Sequence, residues 1–311
     1  MSLPLHQLEI ATQRDARGRD ELSSAAVQKY NLQIRYSENE ERGIPSALSV
    51  VDSWDAWRHY RMYADLLPVL NEDPAGSWLT IGDNGADAHY IRANGKGRII
   101  ASSISRVPLD LAVEAGFLKG VEVEAINAET IDLPAGHIDY VYCKEAYHHF
   151  ARPPIGLYEF MRVARKAVIL CEPSDQHPPR LFDRVRSWVK FVLRGERLEQ
   201  VEFEEAGNFI FRVSTSELRK MAIALGCSRV YWHYFNDFFI KKLARQPQSN
   251  SFAGFALKLG IFLQDISCKM RLMNWGKCTV IIWMREPDQQ IDSALRKSGF
   301  ARFDVPVNPY V

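Results

Sequence analysis

The chain has 311 residues, of which 47% are hydrophobic and 25% are charged, and this composition is typical of a globular protein with a full core. Its 39 basic and 38 acidic residues give a net charge of +1, which provides no overall field for holding a nucleic acid or an anionic membrane. The five cysteines are widely spaced and form no C-x-x-C pair. This spacing argues against a disulfide framework or a zinc site, and we expect a cytoplasmic location.

Residues 1–70 are predicted to form an N-terminal arm followed by a helix. Residues 1–45 are polar and poorly periodic, and the first 22 residues have no apolar core of the kind found in a secretory signal. Between Ser53 and Leu67 the spacing predicts a helix rich in aromatic residues, which ends before Pro68. Its rings either pack the helix onto the main domain or form a lid over a cationic or planar ligand.

Short apolar runs alternate with helical patterns over residues 71–175. This alternation predicts parallel strands joined by right-handed crossovers, as in a doubly wound α/β sheet. Together with two later runs, it predicts a mostly parallel sheet of seven strands, with ligands at the carboxyl ends of the strands. The predicted strands are Ser77–Ile81, Arg98–Ser102, Val121–Ala125, Ile138–Cys143, Ala167–Glu172, Val230–Phe235 and Cys278–Met284.

Residues 176–285 are predicted to hold an insertion that covers the sheet, together with the last two strands, and residues 286–311 a helix and a tail. The insertion contains a basic, aromatic helix at Leu181–Leu193 and an acidic run at Glu196–Glu205. The segment Phe252–Ile266 is apolar but is interrupted by charged and polar residues, and it predicts an amphipathic helix. No integral membrane segment is expected, although this helix leaves a peripheral membrane association open.

Residues 78–88, with the sequence WLTIGDNGADA, predict a buried strand, a tight turn and the start of a helix. Gly82 and Gly85 tolerate positive φ angles and leave room for a ligand against the main chain. The first N–H groups of the helix point toward whatever lies there. An ordinary turn between a strand and a helix has the same pattern, so the segments that follow decide its meaning.

Five blocks follow in a fixed order: LTIGDNG at 79–85, IIASSIS at 99–105, INAETIDLP at 126–134, IDYVYCKEAYHHF at 138–150 and LYEFMRVA at 157–164. In order and spacing they resemble a class I S-adenosylmethionine-dependent methyltransferase of the small-molecule, type 11 branch. The resemblance covers about residues 75–175.

The resemblance implies S-adenosyl-L-methionine as the cofactor and a set of positions that hold it. The glycine turn would pass under the methionine part, the end of the second strand would meet the ribose, and the residues after the third strand would meet the adenine. The segment after the fourth strand would border the transferred methyl group and the acceptor. The implied cofactor-binding residues are Gly82, Asp83, Asn84, Gly85, Asp87, Ser103, Ile104, Asn127, Ala128, Glu129, Lys144 and Glu145.

Two positions depart from the family pattern. The usual acid two residues before the first glycine is Thr80, and the ribose-binding acid is replaced by Ser103. A serine offers one hydroxyl in place of a carboxylate that accepts two hydrogen bonds, each of about 1.5–3 kcal/mol when charge-assisted. Asp83 and Asp87 either compensate by facing the cofactor's ammonium group or are acids that favour a helix start.

His148 and His149 are the candidates for acid–base catalysis. Methylation of a hydroxyl requires removal of a proton, and imidazole titrates near neutral pH. Adjacent residues do not both face one pocket, so at most one of them is the base, and a structural role in the loop is the alternative. Glu145 lies three residues before His148, but no third ligand is apparent and no metal site is expected.

These features predict an S-adenosylmethionine-dependent methyltransferase with a small-molecule acceptor, such as an oxygen of a sugar, a glycan precursor or a secondary metabolite. Transfer would be an in-line displacement aligned by the protein. The alternative is a non-catalytic binding or partner protein on a degenerate methyltransferase scaffold. A nicotinamide-dependent oxidoreductase is a third hypothesis, but the turn lacks the G-x-G-x-x-G spacing. No nucleic-acid partner is expected, and the sequence does not determine the oligomeric state.

Overall fold

The computed structural model describes residues 34, 52–176, 178–194 and 209–309. The predicted arm, apart from Ile34, and the acidic run Glu196–Glu205 lie outside these residues. The helices are α1 (Trp54–Tyr63), α2 (Leu67–Glu72), α3 (Ala86–Asn94), α4 (Val107–Glu114), α5 (Pro153–Val163), α6 (Leu181–Arg194), α7 (Thr215–Ala224), α8 (Lys241–Ala244), α9 (Ser251–Lys269) and α10 (Gln289–Lys297).

The strands are β1 (Trp78–Ile81), β2 (Ile99–Ser103), β3 (Glu122–Ala125), β4 (Ile138–Lys144), β5 (Ala164–Pro173), β6 (Arg229–Phe235), β7 (Lys277–Trp283) and β8 (Ala301–Asp304). Within the described residues they form one eight-stranded sheet in the order β3-β2-β1-β4-β5-β7-β6-β8. The first five are parallel, and β7 runs antiparallel between β5 and β6. The predicted doubly wound, mostly parallel sheet is confirmed.

The eighth strand was not predicted, since residues 286–311 were expected to hold only a helix and a tail. β8 pairs antiparallel with β6 at the edge of the sheet, in the register Val230 to Phe303. Its first and last residues are exposed and its two central residues are half-buried, and the sequence ARFD contains no apolar run that would predict a strand. Residues 301–304 therefore form a strand because they pair with β6, and not because of their own sequence pattern.

Helices cover both faces of the sheet, and alternate residues of each strand point to opposite layers. On one face, Trp78 and Tyr140 stack with ring centroids 4.6 Å apart and pack in a cluster with residues of α2, α3, α4 and α10. On the other, Leu79 and Val141 pack with residues of α5 and α7. The layers hold the strands rigidly and leave the loops at their carboxyl ends to form a site.

Helix α1 begins where the sequence predicts, because the Ser53 hydroxyl accepts a hydrogen bond from Ala56 N–H at 3.0 Å. Pro68 does not close this segment as expected. It lies in the first turn of α2, where a backbone N–H has no partner within the helix, so the missing N–H of proline costs no hydrogen bond. The chain therefore continues from α1 through a 3₁₀ turn at Ala64–Leu66 into α2.

Helix α9 crosses the cover and packs on α1. A Cβ atom on Gly254 would lie 2.1 Å from the Trp54 ring, so the two helices are in close contact. By length and composition alone α9 is also a candidate membrane span, 19 residues long, with 28% of the segment buried in the protein. The sequence interpretation had excluded a span here because of the charged and polar residues that interrupt the segment.

Candidate cofactor and active site

The turn between β1 and α3 brings the main chain close to the loop after β4. Gly82 and Gly85 have φ angles of +69° and +99°, in the left-handed region that favours glycine. A Cβ atom on Gly82 would lie 2.4 Å from the Cβ of Ala146, so packing also requires glycine there. Gly82 and Asn84 are exposed and form the part of the turn that a ligand can reach.

Asp83 points into the protein and not toward a ligand. One carboxylate oxygen accepts hydrogen bonds from the N–H groups of Gly85 at 2.7 Å and Asp87 at 3.1 Å. The other accepts from Ala88 N–H at 2.9 Å and from the Thr80 hydroxyl at 2.8 Å. A carboxylate has about four acceptor positions, so these donors use its capacity. The sequence left two roles open for Asp83, and these contacts match the second, an acid that stabilises the start of a helix.

The same contacts explain why Thr80 departs from the family pattern. Burial, and then the charge of Asp87, raise the pKa of Asp83 to about 6. An acid at position 80 would add another carboxylate within hydrogen-bond distance of Asp83 and raise this cost further. The threonine hydroxyl donates a hydrogen bond instead, so Thr80 and Asp83 form a matched pair.

Asp87 is also held by protein groups. Its carboxylate accepts a hydrogen bond from the Tyr63 hydroxyl at 2.7 Å and lies 3.1 Å from Lys144 Nζ. Burial lowers the pKa of Lys144, but Asp87 and Glu145 outweigh burial and hold that pKa above its ordinary value. The charged pair ties α1, α3 and the end of β4 together. Asp87 therefore reaches a ligand only by sharing its carboxylate with these groups.

Glu145 belongs to a cluster of charges across the ends of β4 and β7. It has a positive φ of 53°, forms an ion pair with Lys277 and lies 3.8 Å from Arg58 of α1. Burial opposes ionisation, but Lys277 and Lys144 outweigh it and hold the pKa of Glu145 well below its usual range. Asp237 lies 3.2 Å from Lys277 and 3.1 Å from Arg58. These contacts hold α1 across the carboxyl edge of the sheet.

His59 of α1 lies among these charges, and the sequence analysis did not select it. Its ring nitrogen Nδ1 is buried without a hydrogen-bond partner in the part of the chain that the structure describes. Burial, followed by Lys144 and Arg58, lowers the pKa of His59 to about 2. The imidazole is therefore neutral at pH 7. Only its position within the predicted lid helix gave any signal in the sequence.

The ends of β2 and β3 present neutral polar groups. Ser103 is buried at the last position of β2, and Ile104, which follows it, is half-buried. The side-chain oxygen of Asn127 accepts a hydrogen bond from Glu129 N–H at 2.9 Å, which fixes the turn after β3. Ala128 is buried in the core beneath this turn. Ser103 and Asn127 are therefore the neutral polar side chains at the ends of these two strands.

Glu129, the other acid predicted to bind the cofactor, is paired within the protein. Its carboxylate is buried and accepts hydrogen bonds from both Arg152 N–H and Arg152 Nε–H, each at 2.6 Å. A bidentate contact of this kind satisfies both oxygens. Glu129 therefore joins the turn after β3 to the start of α5, and its predicted contact with the cofactor has no geometric support.

The loop after β4 is organised by Glu172, at the end of β5, which the sequence analysis did not select. Its fully buried carboxylate accepts hydrogen bonds from the N–H groups of Ala146 at 3.0 Å and Tyr147 at 2.9 Å, and from Nδ1 of His148. A proton on Nδ1 places the basic lone pair on Nε2. The signal for Glu172 was a single acid at the end of an apolar run.

The two candidate histidines differ in their surroundings. The His148 ring is buried and held by Glu172, whereas His149 is half-buried, and the two ring centroids are 4.0 Å apart. Phe211 N–H donates to the main-chain oxygen of His148 at 3.2 Å, so the insertion covers this loop. Among the described residues, no three His, Cys, Asp or Glu side chains come together as a metal site.

A pocket of about 600 Å³ lies where the insertion meets the residues just after β5 and just before β7. It is lined by polar and basic residues that include Asp175, Arg180, Tyr234, Arg271 and Asn274. The Thr215 and Tyr234 hydroxyls, also in its lining, are 2.7 Å apart. Its lining groups can hydrogen-bond a hydroxylated or anionic molecule.

These residues fit S-adenosylmethionine through neutral groups and the main chain. The exposed Gly82 and Asn84, the Ser103 hydroxyl and the Asn127 amide lie at adjacent strand ends and can donate to or accept from the cofactor. The acids at positions 83, 87 and 129 already have protein donors. The cofactor would thus be held with fewer charged contacts than the family pattern implies.

Comparison with known proteins agrees with the topology. Residues 79–171 match a family model described as a methyltransferase domain, which confirms the resemblance and indicates S-adenosylmethionine as the cofactor. No curated protein matches the chain. The YcgJ protein of Bacillus subtilis superposes with a TM-score of 0.50 at 15% identity, covering 74% of this chain and 100% of that one. This likeness shows the fold.

Two further solved structures are similar. One is a 1,6-didemethyltoxoflavin-N1-methyltransferase of Burkholderia thailandensis with bound S-adenosylhomocysteine, with TM-score 0.48, 12% identity and coverage of 86% of this chain and 94% of that one. The other is a SAM-dependent methyltransferase of Archaeoglobus fulgidus, with TM-score 0.46, 14% identity and coverage of 73% and 94%. Residues 79–171 match the methyltransferase-domain model in sequence, and they lie within the mostly parallel sheet described above.

Proposed function

We propose that the protein transfers the methyl group of S-adenosylmethionine to an oxygen of a small hydroxylated molecule. The observation that carries this proposal is the position of the buried His148–Glu172 pair. It lies in the loop whose Ala146 packs against the glycine turn. A proton acceptor and a cofactor turn thus share one edge of the sheet, as an oxygen methylation requires.

The chemistry divides between the cofactor and the chain. When bound, S-adenosylmethionine supplies an electrophilic methyl group, and the acceptor oxygen displaces the neutral thioether of S-adenosylhomocysteine from it. In the proposed reaction Nε2 of His148 takes the acceptor's hydroxyl proton as the new O–C bond forms. Glu172, hydrogen-bonded to Nδ1, then stabilises the imidazolium that results.

The acceptor is proposed to bind in the pocket at the end of β5. The lining hydroxyls of Thr215 and Tyr234 suit a hydroxylated molecule, and Arg180 and Arg271 suit one with an anionic group. Sugars, glycan precursors and polyhydroxylated secondary metabolites meet this description. Helix α1 would act as the lid that excludes water, since Arg58 already contacts Glu145, just after β4, and Asp237, just after β6.

The test is formation of S-adenosylhomocysteine from S-adenosylmethionine, measured with a panel of hydroxylated acceptors. We expect product with at least one acceptor for the wild type and none for a Gly82→Val variant, whose side chain would meet Ala146 and fill the turn. A His137→Gln variant, changed at an exposed position before β4, is the matched control and should keep full activity.

A non-catalytic protein on a degenerate scaffold is the second candidate. The observation that favours it is the pairing of Asp83, Asp87 and Glu129 with protein donors, together with a serine at position 103. A folded wild type that binds neither S-adenosylmethionine nor S-adenosylhomocysteine at millimolar concentration would select this candidate and reject methyl transfer.

A further inference from the structure

Helix α6 of the cover exposes an apolar face of unusual width. Leu181, Val185, Trp188 and Val192 recur at helical spacing, and their exposed fractions are 57%, 49%, 59% and 57%. Leu193, in the last turn of the helix, is 77% exposed. Isolated apolar residues are common on protein surfaces, but a continuous row of this kind marks an interaction site.

Helix α9 exposes a second apolar row on the side away from the protein. Phe252, Phe255, Phe262 and Ile266 repeat every three to seven residues and are 72%, 64%, 58% and 38% exposed. Its opposite side packs inward through residues such as Leu257 and Ile261. The helix therefore has two apolar sides, one packed against the protein and the other exposed.

The two helices meet at one corner of the molecule. Phe182 N–H, at the start of α6, donates to the main-chain oxygen of Leu272, just after α9, at 2.8 Å. The Asp183 carboxylate accepts from Asn274 N–H at 3.1 Å. The start of α6 therefore lies next to the end of α9. We call the exposed apolar residues of α6 and α9 together the cover face.

Positive charge accompanies the cover face. Residues 180–194 contain five basic residues and one acidic residue, in a chain whose net charge is only +1. Arg184 and Arg186 are exposed on α6 among its apolar residues. A helix with aromatic and aliphatic residues on one side and arginine or lysine on the other is typical of a segment that lies in the headgroup region of a bilayer.

Helix α9 is held by the protein in a way that favours lying on a membrane over crossing it. The Asp265 carboxylate accepts a hydrogen bond from the Asn236 amide at 2.8 Å, and that amide group also contacts Cys268. Crossing a bilayer would require separating Gly254 from the Trp54 ring and carrying Lys258 and Asp265 into hydrocarbon. An interfacial position leaves all of these contacts intact.

We propose that the cover face binds peripherally to the surface of a bilayer that contains anionic lipids. The apolar rows enter the interface, and the basic residues of α6 contact the lipid phosphates and carboxylates. A protein partner with an apolar groove would bury the same rows but would not require the excess of basic residues. The surface adjoins the 600 Å³ pocket, since Arg180 and Asn274 line that pocket.

The test is co-sedimentation of the full-length protein with vesicles of phosphatidylcholine alone and of phosphatidylcholine with phosphatidylserine. We expect binding to the anionic vesicles that weakens with added salt. A Trp188→Ser/Phe255→Ser variant should bind the anionic vesicles with an affinity at least about tenfold lower than that of the wild type. An Arg184→Glu/Arg186→Glu variant should lose the preference for vesicles that contain phosphatidylserine. Neither cofactor nor acceptor is present, so the result is independent of methyl transfer.

The matched control is a Val113→Ser/Ile223→Ser variant, whose changed residues are 44% and 43% exposed on other helices. It should bind vesicles like the wild type, and all variants should keep the wild-type melting temperature, because the changed residues are on the surface. The proposal is overturned if the wild type stays in the supernatant with both vesicle types, or if the Trp188 and Phe255 variant still binds like the wild type. It is also overturned if that variant only converts a dimer to a monomer in sedimentation without changing vesicle binding.

Discussion

Two buried carboxylates organise two loops that meet at the carboxyl edge of the sheet. Asp83 accepts hydrogen bonds from main-chain N–H groups and a hydroxyl, all within residues 80–88. Glu172 accepts hydrogen bonds from two main-chain N–H groups and an imidazole, which lie 24 to 26 residues before it in the chain. In the first loop, the donors to the buried carboxylate belong to the start of a helix, which the carboxylate holds in place. In the second loop, one donor is an imidazole, whose orientation the carboxylate fixes. The difference between the two loops therefore lies in the donors, since the acceptor is a buried carboxylate in both.

The largest effect is expected from replacing the imidazole that Glu172 holds. His148→Gln should lower the rate of methyl transfer by about 100- to 10,000-fold, the range typical for loss of a general base. The affinity for S-adenosylhomocysteine should stay within about threefold of the wild-type value, because the proposed role of His148 is proton transfer. His149→Gln is the matched control and should keep most of the activity. Equal activity of the His148 variant and the wild type would show that this loop is also only structural.

Glu172→Gln should have the largest effect on stability. The amide keeps one acceptor oxygen and places an NH₂ group where a carboxylate oxygen accepted a hydrogen bond, so one buried donor loses its partner. We expect the free energy of unfolding, measured by urea denaturation, to fall by about 2–3 kcal/mol. Glu286→Gln, at a side chain that is 68% exposed and paired with Arg229, should change it by less than about 0.5 kcal/mol. A loss below 1 kcal/mol for the Glu172 variant would contradict its role as an anchor.

Asp83→Asn tests the other loop through its dependence on pH. The folded-state pKa of Asp83 is about 6, above the ordinary value of 3.8, so the folded protein holds this proton more tightly than the unfolded chain. The contribution of Asp83 to stability is therefore fully present below about pH 4 and is lost as the pH rises through 6, by at most about 1.4 kcal/mol per pH unit. The asparagine variant lacks this titration. The unfolding free energy of the wild type minus that of the variant should therefore be larger at pH 4.5 than at pH 7. A difference that does not change with pH would contradict the raised pKa of Asp83.

Local and distant contacts explain how far the sequence could predict this structure. Alternating patterns gave the sheet and the positions of α6 and α9, and the glycine spacing gave the turn, because these depend on residues close together in the chain. The partners of Asp83 lie within five residues of it, yet the sequence left its orientation open, since an acid at a helix start has the same pattern whether it faces a ligand or caps the helix. The contact of Glu172 with His148 spans 24 residues and depends on the pairing of β4 with β5. The contacts of Arg58 with Glu145 and Asp237 depend on tertiary packing and had no local signal.

The central claim is that the turn after β1 and the ends of β2 and β3 still bind the cofactor, although Ser103 stands where the family has an acid. Isothermal titration with S-adenosylhomocysteine tests this most directly, with the wild type beside Ser103→Asp and the neutral control Ser103→Asn. We predict that the wild type binds, that the aspartate variant binds about tenfold more tightly because a carboxylate can accept both ribose hydroxyls, and that the asparagine variant does not gain this. Absence of binding heat at millimolar concentration for the wild type and the aspartate variant would contradict the claim.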